Sequence, residues 1–512
     1  MVGDSDSLMN ELYNIMAFVL IALPLMAALV FMVLPNLTSK SYWLLSSIIS
    51  VITFGISVFL FMSYDTLTGG TQFSFTVPWL DQGINISFGL GLTGISASMV
   101  LLNGIVLLGA CLISGDIEKR GRDFYVLLLT LGGGVFGVFL SSDLFFFFLF
   151  YELAVLPMYL LIAVWGSSTD FGSFTRSKEY GAMKLMMVLV AASVLIWVGI
   201  IAIFVETYLN GTPTFAFEEL RRLSENGLFS VEFQNWVFLC FMIGFGVLSG
   251  LWPFHTWSPD GHVAAPTGVS MLHAGVLMKL GAFGIIQIGI VILPLGAQTW
   301  MPLLMVLGIV NVIYGAVSAM SQTDLKYIIG YSSVSHMGYV LIGAATLNSI
   351  GISGAVLQMF SHGIMTALMF VLVGAIYHRA HTRDIYVLNG LIKTMPHICV
   401  LFIIAGFASL GLPGLSGFIA EFLIFLGVIK ISFWIAALAV LGAALTAVYI
   451  LRLIARTIVG PVDSSLSDLP DANIYEKIVS VALASVLVAV GVWPALLLDS
   501  INVGVATIMS AL

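Results

Sequence analysis

The sequence predicts an all-α integral membrane protein of about fourteen transmembrane helices, with a break in mid-membrane at two places. Three observations predict it. Of the 512 residues, 60% are hydrophobic and 9% charged, and the mean hydropathy is +1.09, whereas a soluble domain carries charge on about a quarter of its residues. Apolar stretches of about 20 residues, enough to cross a ~30 Å hydrocarbon core, recur along the whole chain. Two of them contain helix breakers that a simple bundle does not need: Pro253, Pro259 and Pro266 in LWPFHTWSPDGHVAAPTG, and GLPGLSG over 411–417.

Taken in order, the apolar segments lie near 14–34, 41–63, 93–113, 123–141, 143–164, 179–205, 234–256, 266–292, 298–320, 324–346, 350–377, 396–428, 432–451 and 474–498. No Ser- or Gly-rich linker divides them, so residues 1–512 read as a single polytopic membrane domain. The N-terminal MVGDSDSLMNELY lacks a basic region and a small-residue cleavage site and reads as a short exposed tail. The longest outer connection, 64–92, alternates Phe, Val and Ile about a DQG turn and predicts a β-hairpin lying on the membrane. Cys111, Cys240 and Cys399 have neither disulfide nor metal-ligand spacing, so no redox cofactor is expected in this chain. A net charge of −8 spread over so many segments marks no nucleic-acid surface.

Basic residues set the expected orientation, because cytoplasmic connections are enriched in Lys and Arg. Odd-numbered connections hold Lys40; Lys119, Arg120 and Arg122; Arg176 and Lys178; Arg379, Arg383 and Lys393; and Arg452, Arg456 and Lys477. Even-numbered ones hold Arg221, Arg222 and Lys430. Both termini are therefore expected outside.

Ionisable residues inside the membrane cost several kcal/mol by insertion scales, about 3 each, and each is a candidate for function. Glu152 lies nine residues after Asp143, about 13 Å into its helix at 1.5 Å per residue, with Pro157 close behind. Lys279 is about 18 Å into its own segment by the same rise, too deep to snorkel with ease. Glu421 follows the GLPGLSG break by four residues. His336 and His362 each stand about twelve residues into adjacent segments, placed to pass protons between Lys279 and Glu421 or simply to be hydrogen-bonded in the core. Lys184 is nearer its inner end and can either snorkel or join the path. His255, Asp260 and His262, like Arg379, His381, Arg383 and Asp384, flank breaks at the inner face; they can gather protons or pin loops.

These residues sit in motifs with a resemblance. PFHTWSPDGHVAAPT, GVLMKLG, DLKYIIGYSSVSHMGYVLIG, QMFSHGIMTALMFVLVGAIYHRAHTRDI and ASLGLPGLSGFIAEF, spread from about Phe124 to Arg456, closely resemble the antiporter-like M subunits of proton-pumping NADH:quinone oxidoreductase, respiratory complex I. The resemblance implies two inverted five-helix repeats, each with a broken helix, over 123–292 and 298–456. It also implies a proton path through Glu152, Lys279, His336, His362 and Glu421. No prosthetic group is implied for this chain, with FMN and iron–sulfur clusters in other subunits. The partners implied are other membrane-arm subunits, antiporter-like ones included, in a bacterial inner membrane, with lipids and protons as the small partners. Relatives of this type usually carry a lysine where this chain has Leu248, as partner of the fifth-helix glutamate. His273, in HAGVLMK, resembles the His-x5-Lys pattern of larger antiporter-type relatives and is a candidate relay, with Lys184 as the candidate electrostatic partner of Glu152. A subunit of a multisubunit Na⁺/H⁺ antiporter or membrane-bound hydrogenase, and a non-conducting structural subunit, are the competing readings.

If the basic-residue rule holds, single cysteines placed at 114–122, 165–178 and 379–395 react with an impermeant thiol reagent only from the inner face of oriented vesicles. Cysteines within 1–10 react only from the outer face, and the reverse pattern would invert the topology.

Overall fold

The computed structural model describes residues 2–33, 37–80, 83–170 and 175–512. The chain folds as a helical bundle in which helices α1 (Val2–Val33), α2 (Ser39–Ser63), α3 (Gly94–Ile113), α4 (Gly121–Leu140), α5 (Leu144–Trp165) and α6 (Lys178–Leu209) lead into the first break. Strands β1 (Gln72–Leu80) and β2 (Ile86–Leu92) pair antiparallel between α2 and α3. Part of the DQG turn expected between them, Asp81 and Gln82, lies outside the described residues. Two short strands, β3 (Thr169–Asp170) and β4 (Thr175–Arg176), pair before α6.

An amphipathic helix α7 (Phe217–Glu225) precedes α8 (Val231–Leu248). The seventh apolar segment then stops short. After Leu248 the chain turns through a 3₁₀ segment, Phe254–Thr256, into the short helix α9 (Trp257–Ala264). The eighth segment follows as α10 (Thr267–Ile292), which contains two π-helical stretches, His273–Leu277 and Ile285–Gly289. Next come α11 (Pro294–Ser321), α12 (Leu325–Ala345) and α13 (Ser349–Ala380). The twelfth expected segment is split into half-helices α14 (Pro396–Ser409) and α15 (Ser416–Ile429), followed by α16 (Phe433–Thr457), α17 (Ile474–Val492) and a short terminal helix α18 (Ala495–Met509). Thirteen helical stretches among the described residues are long and apolar enough to cross a membrane; the split pair α14–α15 supplies the fourteenth crossing.

Hydrocarbon offers no hydrogen bonds, so each break requires protein partners for its freed backbone. At the first break, Asn311 of α11 accepts from Trp252 N–H at 2.6 Å and donates to Gly250 C=O at 2.8 Å. The Trp257 indole donates to Val247 C=O at 3.0 Å. The ammonium of Lys326 reaches Ala265 C=O at 2.7 Å, and Ser167 N–H serves Ala264 C=O at 2.8 Å. At the second break, Gly411 (φ +73°) and Gly414 (φ +95°) take left-handed conformations that favour glycine.

Burial is graded across the bundle. Helices α10, α12 and α13 are enclosed almost all round, whereas α2, α6 and α16 present broad apolar faces outward. The enclosed helices are the ones that carry Lys279, His336 and His362.

Close approach of α10 to α8 depends on Gly281, where a Cβ would stand 2.2 Å from Phe245 C=O and 2.9 Å from Ser249 N. Backbone cannot yield as a flexible side chain can. Gly281→Ala is expected to destabilise the packed bundle by about 2 kcal/mol, typical of an overpacked interior, read as a lower thermal midpoint of the detergent-solubilised protein.

Candidate functional site

Two polar groupings occupy the bundle interior, one around the short helix α9 and one running along the enclosed helices. The first centres on Asp260, which is 5% exposed. One carboxylate oxygen accepts from Arg176 at 2.5 Å and Tyr327 at 3.0 Å, and the other from Lys184 at 2.8 Å. Beside this grouping, Arg383 donates to Asp324 at 2.9 Å, to Thr169 at 2.8 Å and to Val263 C=O at 3.4 Å. Arg383 thus ties the start of α12 to the end of α9. Arg379 makes a two-armed contact with Glu476, at 3.0 and 2.7 Å. The arginines of the HRAHTRD stretch therefore pin elements together, while Asp260 holds two partly exposed cations.

The second grouping is linear. Lys279 donates to Ala274 C=O, and its Nζ lies 2.7 Å from His362 Nδ1. That carbonyl belongs to the π-helical stretch His273–Leu277, five residues before the lysine on the same helix. The His362 and His336 rings are 5.4 Å apart. His336 Nδ1 lies 3.4 Å from Glu421 Oε1, close enough for an ion pair when the imidazole is protonated, and its Nε2 lies 3.0 Å from Ser409 Oγ. Gln358 contacts His336 Nδ1 at 3.3 Å. Gly411 lets the second break close on Glu421, since a Cβ there would meet Oε2 at 2.9 Å. Lys279, His362, His336 and Glu421 thus form a buried file joining the first break to the second.

Glu152 stands apart from this file. It is only half-buried on α5, on a side flanked by the exposed Leu149 and Leu156, with Ser193 of α6 beside its carboxyl. Among the described residues, its Oε1 has no hydrogen-bond partner. The expected pairing with Lys184 is not formed. Lys184 is held by Asp260 instead, because α9 carries a nearer carboxylate to the N-terminal end of α6. His273 is fully buried against His262, with ring centroids 3.9 Å apart, and packs on Trp257 at 5.4 Å.

Sequence reasoning did not single out Asn311, Lys326, Tyr327, Gln358 or Ser409. Lys326 carried a readable signal, a lysine at the start of an apolar segment. The others become polar partners only once helices far apart in sequence are packed. Among the described residues no group of three or more His, Cys, Asp or Glu side chains is arranged to hold a metal ion.

Fold and file together define a polytopic helical membrane protein with paired broken helices around a buried chain of titratable groups. The family model described as "NADH:quinone oxidoreductase/Mrp antiporter, TM" matches residues 141–446. The chain is 34% identical over 509 residues to NADH-quinone oxidoreductase subunit M of Rhodobacter capsulatus, covering 97% of this chain and 96% of that protein. It superposes with TM-score 0.84 and 27% identity on a chain of respiratory complex I from Thermus thermophilus, over 96% and 99% of the two chains. A chain of the Mrp complex from Dietzia sp. has the same fold, with TM-score 0.84 and 22% identity over 98% and 99%. The chain belongs to the NADH:quinone oxidoreductase/Mrp antiporter family of membrane subunits.

Asp260→Ala would leave Arg176 and Lys184 facing each other without their carboxylate. Losing that carboxylate costs about 3 kcal/mol, the low end for a buried pair because both cations are partly exposed and Arg176 keeps its hydrogen bond to Tyr327 at 3.2 Å. A lower thermal midpoint is expected for Asp260→Ala, with a smaller drop for Arg176→Gln.

Proposed function

We propose that this chain is a proton-translocating membrane-arm subunit of an NADH:quinone oxidoreductase, working beside other antiporter-like subunits. The observation that carries it is the 2.7 Å contact between Lys279 and His362, which joins two helices enclosed by protein and continues through His336 to Glu421. Each of these groups can gain or lose a proton, and an ionisable group held within the membrane span is costly unless it serves a path or is fully paired. In this reading NADH oxidation and quinone reduction, with their FMN and iron–sulfur clusters, belong to other subunits. Residues 123–292 and 298–456 are the two inverted repeats, with α9 and the α14–α15 break in matching places. Both termini lie on the outer side of a bacterial inner membrane. Glu152, half-buried at the α5–α6 face, is the input carboxylate; Lys184 belongs to the inner cluster through Asp260, and His273 is the intermediate station before Lys279.

The Mrp-type antiporter reading shares the fold, so overall shape does not choose between them. The 34% identity over nearly the full length of an NADH-quinone oxidoreductase subunit M favours the first.

Two substitutions test the path in complexes reconstituted into vesicles. Lys279→Ala is expected to leave assembly intact and to lower NADH-driven proton pumping by about a hundredfold, the low end for losing a positioned proton-transfer group. Glu152→Gln should lower it in the same direction. Full, coupled pumping by an assembled Lys279→Ala complex would sink the path.

A further inference from the structure

A further polar space approaches Lys279 from the end of the bundle opposite to α9. It is a cavity of about 530 Å³ enclosed by the β1–β2 hairpin, the start of α3, the end of α4, the start of α7, the second half of α10, and α18. Eight serine and threonine residues line it, together with Glu218, Arg221 and Gln287. A space of this size and polarity holds water. Gln287 marks how far the polar wall reaches. It lies at the centre of the second π-helical stretch of α10, Ile285–Gly289, and its amide has no hydrogen-bond partner among the described residues. Hydrocarbon offers such an amide nothing, so cavity water is its natural partner.

The polar wall ends at aromatic rings. The deepest lining residues of α10 and α4 are Phe283 and Phe139, 2% and 1% exposed, whose rings meet edge-on with centroids 5.1 Å apart. Phe147 of α5 stacks on Phe283 at 6.5 Å and meets Phe245 of α8 at 5.9 Å. Phe283 is four residues beyond Lys279 on the same face of α10, about 6 Å along the axis at 1.5 Å per residue. Side chains lean toward the N-terminus of their helix, so the Phe283 ring covers the turn that carries Lys279, while the ammonium turns the other way, to Ala274 C=O. Lys279 is fully buried and does not line the cavity.

We propose that Phe283, closed against Phe139 and Phe147, is the seal that keeps the water of this cavity from the proton file. The proposal rests on the proton-path reading and adds to it the barrier that gives the file its direction. With the seal shut, a proton on Lys279 has His362, 2.7 Å away, as its onward partner. With it open, the same proton would escape into the cavity without passing Glu421, and the gradient would run down. Apolar constrictions of this kind exclude water and ions by dewetting. Taking away the phenyl ring would leave room for about two or three waters at ~30 Å³ each, enough to bridge the ~6 Å between the turn of Phe283 and that of Lys279.

The test is a leak assay on the assembled complex in vesicles. A pH gradient is imposed without NADH, and its decay is followed with an entrapped pH-sensitive dye. Phe283→Ala is expected to speed the decay by about a hundredfold, the rate equivalent of the ~3 kcal/mol that a charge meets at apolar depth. Phe283→Leu, which keeps an apolar side chain in the gap, is expected to stay as tight as the unaltered complex, and addition of Lys279→Met to Phe283→Ala to remove most of the leak. Phe283→Ala vesicles that hold the gradient overturn the proposal. So does an equal leak from the Leu variant, which would mark general loosening of the packing, and so does a leak that persists without Lys279, which would run outside the file. Where Phe283→Ala does not assemble, Phe139→Ala is measured on the other half of the same contact; failure of both to assemble marks the rings as structural and also overturns the seal. The two levels separate: blocked pumping in Lys279→Ala beside a tight Phe283→Ala removes the seal and leaves the path, whereas full pumping in Lys279→Ala removes the path itself.

Discussion

Inside hydrocarbon a broken helix has no solvent to receive its freed backbone groups, and the centre of this molecule is arranged around meeting that demand with protein atoms. Asn311 answers both a donor and an acceptor at the first break, and Lys326 answers the carbonyl of Ala265. Since those partners sit on α11 and α12, the break is stable only when the flanking helices are packed. Local flexibility and tertiary packing are thus a single condition here, and the polar groups needed to satisfy the backbone are carried into the membrane by it.

The same logic governs Lys279. A lone ammonium in the interior of the bundle is costly; here it has one acceptor in Ala274 C=O and one partner in His362. The acceptor lies in the π-helical stretch His273–Leu277 of the same helix. The carbonyl supplies a fixed dipole beside the ammonium. Glu421 is treated differently. It sits just past a break whose glycines allow the backbone to close on its carboxylate, with His336 across from it.

Asp260 organises the first grouping. By drawing both Lys184 and Arg176 it fixes the start of α6 and the β4 strand before it against α9, and it takes from Glu152 the cation that sequence distance alone would offer. That choice leaves Glu152 on a half-open face with a carboxylate oxygen unpaired among the described residues, apart from the file along α10, α12 and α13.

Hydropathy and helix breakers determined the class, the count of crossings and the two breaks, because an apolar run of membrane length and a Pro or Gly cluster within it act through local chain physics. Depth along a segment likewise marked Lys279, His336, His362 and Glu421, since 1.5 Å per residue needs no tertiary knowledge. Which of these meet was decided only by packing. The partner of Lys184 was Asp260 rather than Glu152, because a six- or seven-ångström side chain chooses among groups that the folded helices bring within reach. Asn311 and the approach of His262 to His273 had no sequence signal at all: a polar residue in an apolar helix and a histidine in a motif acquire their meaning from a segment 61 residues away or from a π-turn that no periodicity announces.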